Sequence, residues 1–136
     1  MPIPLYALIG FVLWTLLLVF SVGAVRVTQT LTGKARGRDF TAGSPHGSDA
    51  YWRLNRAHLN CCENLPLFAA LVLAAAVIGH SSVAFDRLAT VYLAARVAQS
   101  LIHIASGSER AIALRFTAYL TQFVCAVSMG LSLLWL

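Results

Sequence analysis

The stretch that decides the fold is IPLYALIGFVLWTLLLVFSVGAV, residues 3–25, which contains no charged side chain. A helix needs about 20 mostly apolar residues to cross a bilayer, so this stretch is long enough to span a membrane. A cleaved signal peptide is the alternative, but such a peptide has a basic segment before an apolar run of roughly 7–15 residues. The stretch lacks the basic segment and its apolar run is longer, so we expect a retained transmembrane helix.

Three further apolar segments follow and account for most of the remaining chain. The 136 residues are 59 % hydrophobic and 11 % charged, against about 45–50 % and 25 % in soluble domains. The runs are continuous, whereas membrane β-strands alternate over about ten residues. We therefore predict an all-α integral membrane protein, a single four-helix transmembrane domain over residues 1–136 with helices near 3–27, 53–79, 84–105 and 110–136.

The connections and their charges predict a topology. Residues 28–52 form the one long loop, which is rich in glycine, whereas the turns near 80–82 and 106–109 are tight and imply antiparallel neighbours. The basic residues on the long-loop side or at its boundary are Arg26, Lys34, Arg36, Arg38, Arg53, Arg56 and Arg110. The other side has Arg87 alone, so the positive-inside rule predicts a cytoplasmic long loop with both termini on the opposite side.

Polar residues within the predicted spans follow helical spacing. They are Arg53, Arg56, Asn60 and Glu63 in the second helix, Arg96, Gln99 and His103 in the third, and Arg115, Tyr119 and Gln122 in the fourth. A charge within a span costs roughly 2.5–3.5 kcal/mol even on the lenient insertion scale, so such residues indicate function. The topology brings these stripes together in the cytoplasmic half of the bundle. The set has a net positive charge, and guanidinium groups pair well with carboxylates, so we expect an anionic ligand there.

Structural interpretations of some of these charges remain open. Arg26, Arg53 and Arg110 suit interfacial anchors whose charged ends reach the headgroups. Glu63 suits a structural partner of one arginine, which is compatible with binding. Arg96 lies near mid-membrane, where neither explanation applies easily.

Several kinds of chemistry are disfavoured by what the chain lacks. No His or Cys cluster has zinc spacing, so we expect no metal. Cys61, Cys62 and Cys125 are interpreted as small apolar residues. The chain contains no phosphate-binding GxxxxGK[ST] loop and no GxSxG nucleophile motif. Its basic residues punctuate apolar runs instead of covering one soluble face, so we expect no nucleic-acid partner.

The stretch RAHLNCCENLPLF, residues 56–68, resembles the signature of the MAPEG family, the membrane-associated proteins in eicosanoid and glutathione metabolism. That signature has the form R-A-x-x-N-x-x-E-x-x-P-x-F, and each fixed position matches. The Arg96-Val97-Ala98 step and the Arg115 and Tyr119 pair are also similar to the family pattern. The resemblance covers nearly the whole chain and is greatest to the bacterial-type microsomal glutathione transferases of the family.

The resemblance implies a homotrimer that binds glutathione as co-substrate between neighbouring protomers, near the cytoplasmic face. It implies that Arg115 is the catalytic residue, activating the thiol. The residues expected to contact glutathione are Arg26, Arg56, Asn60, Glu63, Arg96, Gln99, His103 and Tyr119. Family enzymes often have a tyrosine at the position of His103 and a histidine at that of Gln99. The chain departs from the family at these two positions in the third helix.

The stripes and the resemblance together indicate a membrane glutathione transferase, with glutathione peroxidase activity as a related possibility. The arginines suit the glutathione carboxylates, and Glu63 suits its ammonium group. The second substrate is expected to be a hydrophobic small molecule or a lipid, arriving from the bilayer. One alternative is a non-catalytic lipid-binding or scaffold member of the same family. Another is a small four-helix drug and proton exporter, but residues 3–25 lack the acidic residue that such proteins have in the first span.

Overall fold

The computed structural model describes residues 1–135, which fold into four long α-helices. These are α1 (Ile3–Leu31), α2 (Asp49–Val77), α3 (Val83–Ala105) and α4 (Glu109–Leu134). All four are long and apolar enough to cross a membrane, and no strand occurs among the described residues. The predicted all-α, four-helix, multi-pass membrane architecture is thus confirmed.

The first two helices extend further into the long loop than the sequence indicates. α1 continues past residue 27 to Leu31 and ends before Gly33, whose positive φ of 71° reverses the chain. α2 begins at Asp49, four residues before the predicted residue 53, because the hydroxyl of Ser48 accepts a hydrogen bond from the Tyr51 backbone N–H (3.2 Å). The connection is therefore residues 32–48 instead of 28–52, with one 3₁₀ turn at Gly37–Asp39.

The remaining helix boundaries lie close to the predicted ones. α2 ends at Val77 instead of residue 79, because Gly79 has a φ of 69° and the His80 N–H bonds back to the Ala75 carbonyl (2.9 Å). Serine hydroxyls cap the starts of α3 and α4. α4 was expected to reach residue 136, but the helix ends at Leu134, and residue 136 lies outside the described part of the chain.

The packing places α3 at the centre of the bundle. It contacts each of the other three helices, whereas α2 and α4 touch only slightly. Phe68 of α2 stacks on Tyr92 of α3 with ring centroids 4.4 Å apart, and Phe11 of α1 packs against both rings. The outer faces expose large apolar side chains, among them Phe20 (74 % exposed), as expected for helices that meet lipid. A cleft consequently separates α2 from α4.

The short turns make sequential helices antiparallel, so two connections share one end of the bundle. We call this end the loop end. It contains residues 26–56, which include the 3₁₀ turn, and residues 103–115. Arg53 near the start of α2 fastens it to the end of α3, since its Nε donates to the Ile104 carbonyl (3.2 Å). The loop end therefore holds most of the basic residues that the sequence assigned to one side.

Candidate functional site

Three arginines and one histidine from three helices meet at the loop end. Arg53 and Arg56 come from α2, His103 from α3 and Arg115 from α4. All three guanidinium groups lie close enough to the half-buried His103 ring to interact with it electrostatically. This set, called the basic cluster below, contains the loop-end members of the three predicted stripes. Its excess of positive charge makes it a candidate binding site for an anion.

Arg115 has an unsatisfied hydrogen-bond donor within the basic cluster. Its side chain is half-buried, and its Nε is enclosed without a hydrogen-bond partner among the described residues. A buried N–H group without a partner is costly, because it has lost water and gained nothing in exchange. The Nε is closed to a ligand in this conformation, so the terminal nitrogen atoms of the guanidinium group are the ones that an anion can reach.

The amide of Gln99 supports the turn of α4 that carries Arg115. Its Nε2 donates to the Arg115 backbone carbonyl (3.2 Å), and its Oε1 accepts from the Gln122 Nε2 (3.0 Å). Gln99 was expected to contact the ligand, but both ends of its amide are already hydrogen-bonded between α3 and α4. Its position is thus structural within the protomer.

The polar stripe of α2 turns outward as the helix enters the membrane. Arg56 and Asn60 are half-buried, whereas Glu63 is exposed. The Asn60 carbonyl accepts a hydrogen bond from the Asn64 amide (2.8 Å). A carboxylate exposed at this depth on a single protomer is costly in lipid. Glu63 is therefore a candidate for contact with a group beyond its own four-helix bundle.

Arg26 lies at the loop end but is held by the long loop. Its Nε donates to the Tyr51 hydroxyl (2.7 Å), and its guanidinium carbon lies 5.3 Å from the Phe40 ring centroid and 5.9 Å from that of Tyr51. The Tyr51 hydroxyl is also 3.2 Å from the His46 Nε2. These contacts hold the Arg26 Nε and one face of the guanidinium plane. The side chain is only half-buried, so its two terminal nitrogen atoms remain as potential ligand contacts.

Arg96 occupies a different place from the one that its spacing suggested. It was expected in the stripe facing the ligand, but it is 1 % exposed and lies in the core, 5.7 Å from the Phe11 ring centroid. Its Nε and Nη2 have no hydrogen-bond partner among the described residues. The side chain points into the bundle because the packing of α1, α2 and α3 encloses that face of α3. Arg96 is thus separated from the surface where a ligand would bind.

Tyr119 lies on α4 one turn beyond Arg115 and is 45 % exposed. It borders the opening between α2 and α4, called the α2–α4 cleft below, which has a volume of about 210 Å³. The cleft is lined by Asn64, Leu67, Tyr92, Tyr119, Gln122, Phe123 and Ala126. Apolar side chains dominate its walls, so it suits an apolar molecule close to the basic cluster.

Two positions with a clear structural role were not predicted as site residues. Tyr51 holds Arg26, but the two residues are far apart in sequence, and no spacing rule connects them. Gln122 was assigned to the α4 stripe by its spacing from Arg115, and its burial could not be read from that spacing. Residues 1–135 contain no group of three His, Cys, Asp or Glu side chains that could hold a metal ion.

Comparison with known families gives one match. The model of the MAPEG family matches residues 4–135, nearly the whole chain. No curated protein matches the chain significantly.

Proposed function

Since the chain belongs to the MAPEG family, a family of four-helix membrane proteins, we propose that it is a membrane glutathione transferase. It joins the glutathione thiol to a hydrophobic electrophile. A lipid hydroperoxide is an alternative substrate, which the same thiol would reduce. The observation that carries the proposal is the basic cluster, where Arg56, His103 and Arg115 meet beside the α2 stripe. The subtype is that of the bacterial microsomal transferases.

Charge complementarity supports glutathione as the anion. Glutathione has two carboxylates and one ammonium group, and an arginine binds a carboxylate through two parallel hydrogen bonds. Arg56 and the free nitrogen atoms of Arg26 suit the carboxylates, and Asn60 suits a peptide group of the tripeptide. Glu63 suits the ammonium group, which would neutralise its exposed charge. His103 and Tyr119 complete the contacts, whereas Gln99 connects α3 to α4 and Arg96 lies buried in the core.

Arg115 activates the thiol electrostatically. A thiol with the usual pKa near 8.5 is mostly protonated at neutral pH, and only the thiolate is strongly nucleophilic. A terminal N–H group of the Arg115 guanidinium can donate to the sulfur, and each unit by which the thiol pKa falls corresponds to about 1.4 kcal/mol. Arginine stays protonated, so it stabilises the anion and does not remove the proton itself.

A homotrimer completes the site. The outward-facing Glu63 and the half-buried Arg56 lie at the protomer surface, so a neighbouring protomer can cover a ligand bound to them. In this arrangement the long loop faces the cytoplasm, where glutathione is supplied, and both termini lie on the other side. The hydrophobic substrate reaches the sulfur from the bilayer through an opening between helices.

The test compares Arg115→Ala with Arg110→Ala, an exposed arginine that precedes Arg115 on α4 and serves as the matched control. The assays are the thiolate absorbance of bound glutathione and the conjugation rate with 1-chloro-2,4-dinitrobenzene. We expect Arg115→Ala to lower both by at least about tenfold, because a lost anion-stabilising donor typically costs about 10²–10³ in rate. Arg110→Ala should stay within about twofold, as surface changes do.

Wild-type rates in Arg115→Ala would show that the assigned role is wrong. Glutathione should also raise the thermal unfolding temperature of the wild-type protein in detergent, because a ligand that binds the folded state stabilises it. The absence of this shift would favour the non-catalytic, lipid-binding alternative.

A further inference from the structure

The α2–α4 cleft contains one polar group that the protomer does not satisfy. Gln122 lines the cleft and is 2 % exposed. Its Nε2 donates to the Gln99 Oε1 (3.0 Å) and to the Ala118 carbonyl (2.9 Å), which fixes the amide. Its Oε1 has no hydrogen-bond partner among residues 1–135 and is buried beside the cleft, so a ligand reaches it only when the cleft walls move apart. Because both known bonds use the nitrogen, the unused oxygen can only accept, and its missing partner is a hydrogen-bond donor.

The other cleft residues indicate what kind of molecule brings that donor. Leu67, Phe123 and Ala126 form apolar walls, and Tyr119 stands at the border with an exposed ring. The volume of about 210 Å³ suits a slender aliphatic chain better than a bulky ring system. A buried acceptor in an apolar cleft selects for molecules that carry a hydroxyl group, since it would be left unpaired by a pure hydrocarbon.

The axial spacing along α4 places the hydroxyl relative to the reacting carbon. Gln122 follows Arg115 by seven residues, which is nearly two turns on the same face and about 10 Å along the axis. The thiol lies at the level of Arg115 in the proposed function. An aliphatic substrate whose reacting carbon lies at the thiol therefore needs roughly seven or eight further carbons to cover this axial distance and reach Gln122.

We propose that the α2–α4 cleft binds the tail of the lipophilic co-substrate and that Gln122 Oε1 accepts a hydrogen bond from a hydroxyl near the end of that tail. The inference rests on the proposed function and names its substrate class, an ω-hydroxylated aliphatic electrophile. A 2-alkenal illustrates the reaction. The glutathione thiolate forms a bond to C3, the C2=C3 electrons shift to give the enolate, and water then protonates C2, so no group leaves.

The test uses two substrates that differ by one hydroxyl remote from the reacting carbon, 2-decenal and 10-hydroxy-2-decenal. Each kcat/KM is divided by the uncatalysed rate constant with glutathione. The wild-type protein should prefer the hydroxylated substrate by about three- to tenfold, the value of one net hydrogen bond. Gln122→Leu should abolish the preference. No preference in the wild-type protein, or an unchanged preference in Gln122→Leu, would overturn the proposal.

A second variant avoids the hydrogen bonds that Gln122 makes to Gln99 and Ala118. Ala126→Leu fills the cleft and should lower kcat/KM for both alkenals, with little change for the short substrate 1-chloro-2,4-dinitrobenzene. Ala113→Leu adds the same side chain to the exposed, opposite face of α4 and should leave all three rates unchanged. Equal effects of the two variants would contradict the cleft assignment. If instead a second protomer fills the cleft, Ala126→Leu will reduce cross-linked trimer and leave selectivity unchanged, which also overturns it.

Direct binding separates this proposal from the proposed function. A 1-decanol probe with a mid-chain diazirine group should label α2 and α4 without glutathione, and Gln122→Leu should weaken the labelling. Labelling of the cleft in a protein that does not turn over glutathione would overturn the proposed function, and with it the co-substrate assignment, but would still show that the cleft binds an aliphatic alcohol. Turnover of 1-chloro-2,4-dinitrobenzene without labelling of the cleft would overturn the inference alone.

Discussion

Tyr51→Phe tests how the long loop holds Arg26. The substitution removes one hydroxyl, which accepts the hydrogen bond of the Arg26 Nε at 2.7 Å and lies 3.2 Å from the His46 Nε2. The phenyl ring remains, so the packing against Phe40 and the cation–π contact with Arg26 are retained. Tyr51 is 3 % exposed, so water cannot readily replace the lost partner.

The contacts determine the expected size of the effect. A hydrogen bond to a charged group contributes about 1.5–3 kcal/mol. Arg26 is half-buried, and partial exposure weakens its charge interactions, so the lower part of that range applies. We expect Tyr51→Phe to lower the free energy of unfolding by about 1–2 kcal/mol. If Arg26 binds a glutathione carboxylate, the Kd for glutathione should also rise by about three- to tenfold.

A double-mutant cycle isolates the contact. Tyr51→Phe, Arg26→Met and the double variant are unfolded in mixed micelles, and the coupling free energy is calculated from the three changes. Coupling of at least about 1 kcal/mol is expected for a pair in direct contact. Phe40→Leu is the control, since it removes a cation–π contact worth about 0.5–1 kcal/mol and the ring contacts with His46 and Tyr51 but leaves the hydrogen bond from Arg26 to Tyr51 in place. Coupling below about 0.3 kcal/mol, the value for independent sites, would refute the reasoning.

Two further substitutions test the loop and the core. Gly47→Ala should destabilise the protein by at least about 1 kcal/mol more than Gly43→Ala. Both glycines have a positive φ, but only at Gly47 would the added Cβ lie 2.7 Å from the Tyr51 ring. Equal losses of stability in thermal unfolding would contradict this contact. Arg96→Met should leave the free energy of unfolding unchanged or raise it by about 1–3 kcal/mol. The substitution removes an unpaired charge from the core and keeps an apolar side chain against Phe11. A decrease in the free energy of unfolding above about 2 kcal/mol would mean that the guanidinium group has hydrogen-bond partners in the membrane.

The fold could be predicted from the sequence because the bilayer imposes a simple requirement. Every backbone polar group within the hydrocarbon must be bonded internally, so four long apolar runs indicate four helices. The ends of α1 and α2 were less predictable. The loop-side turns of both helices fall outside the long apolar runs, and local contacts set their limits. The hydroxyl of Ser48 decides where α2 begins, and the positive φ of Gly33 decides where α1 ends.

The candidate site was predictable only where helical spacing and topology were sufficient. Antiparallel connections place the start of α2, the end of α3 and the start of α4 at one level, and Arg56 and Arg115 lie within electrostatic range of His103 there. Spacing tells which residues share one face of a helix, but not which neighbour covers that face. Arg96 lies seven residues before His103 and so shares a face of α3 with it, which is why Arg96 was expected beside a ligand. Neighbouring helices cover that part of the face, and Arg96 lies in the core.

Gln99 and Gln122 extend this argument from position to role. Both side chains have the polar character and spacing of ligand-binding residues, yet their amides bond mainly to each other and to the α4 backbone. A polar group inside a membrane helix can satisfy a neighbouring helix or a ligand, and residue type does not distinguish the two. The distinction lies in what remains unpaired. Gln99 has both ends of its amide bonded, whereas Gln122 Oε1 and Arg115 Nε have no partner among the described residues, and these two atoms lie on the same face of α4.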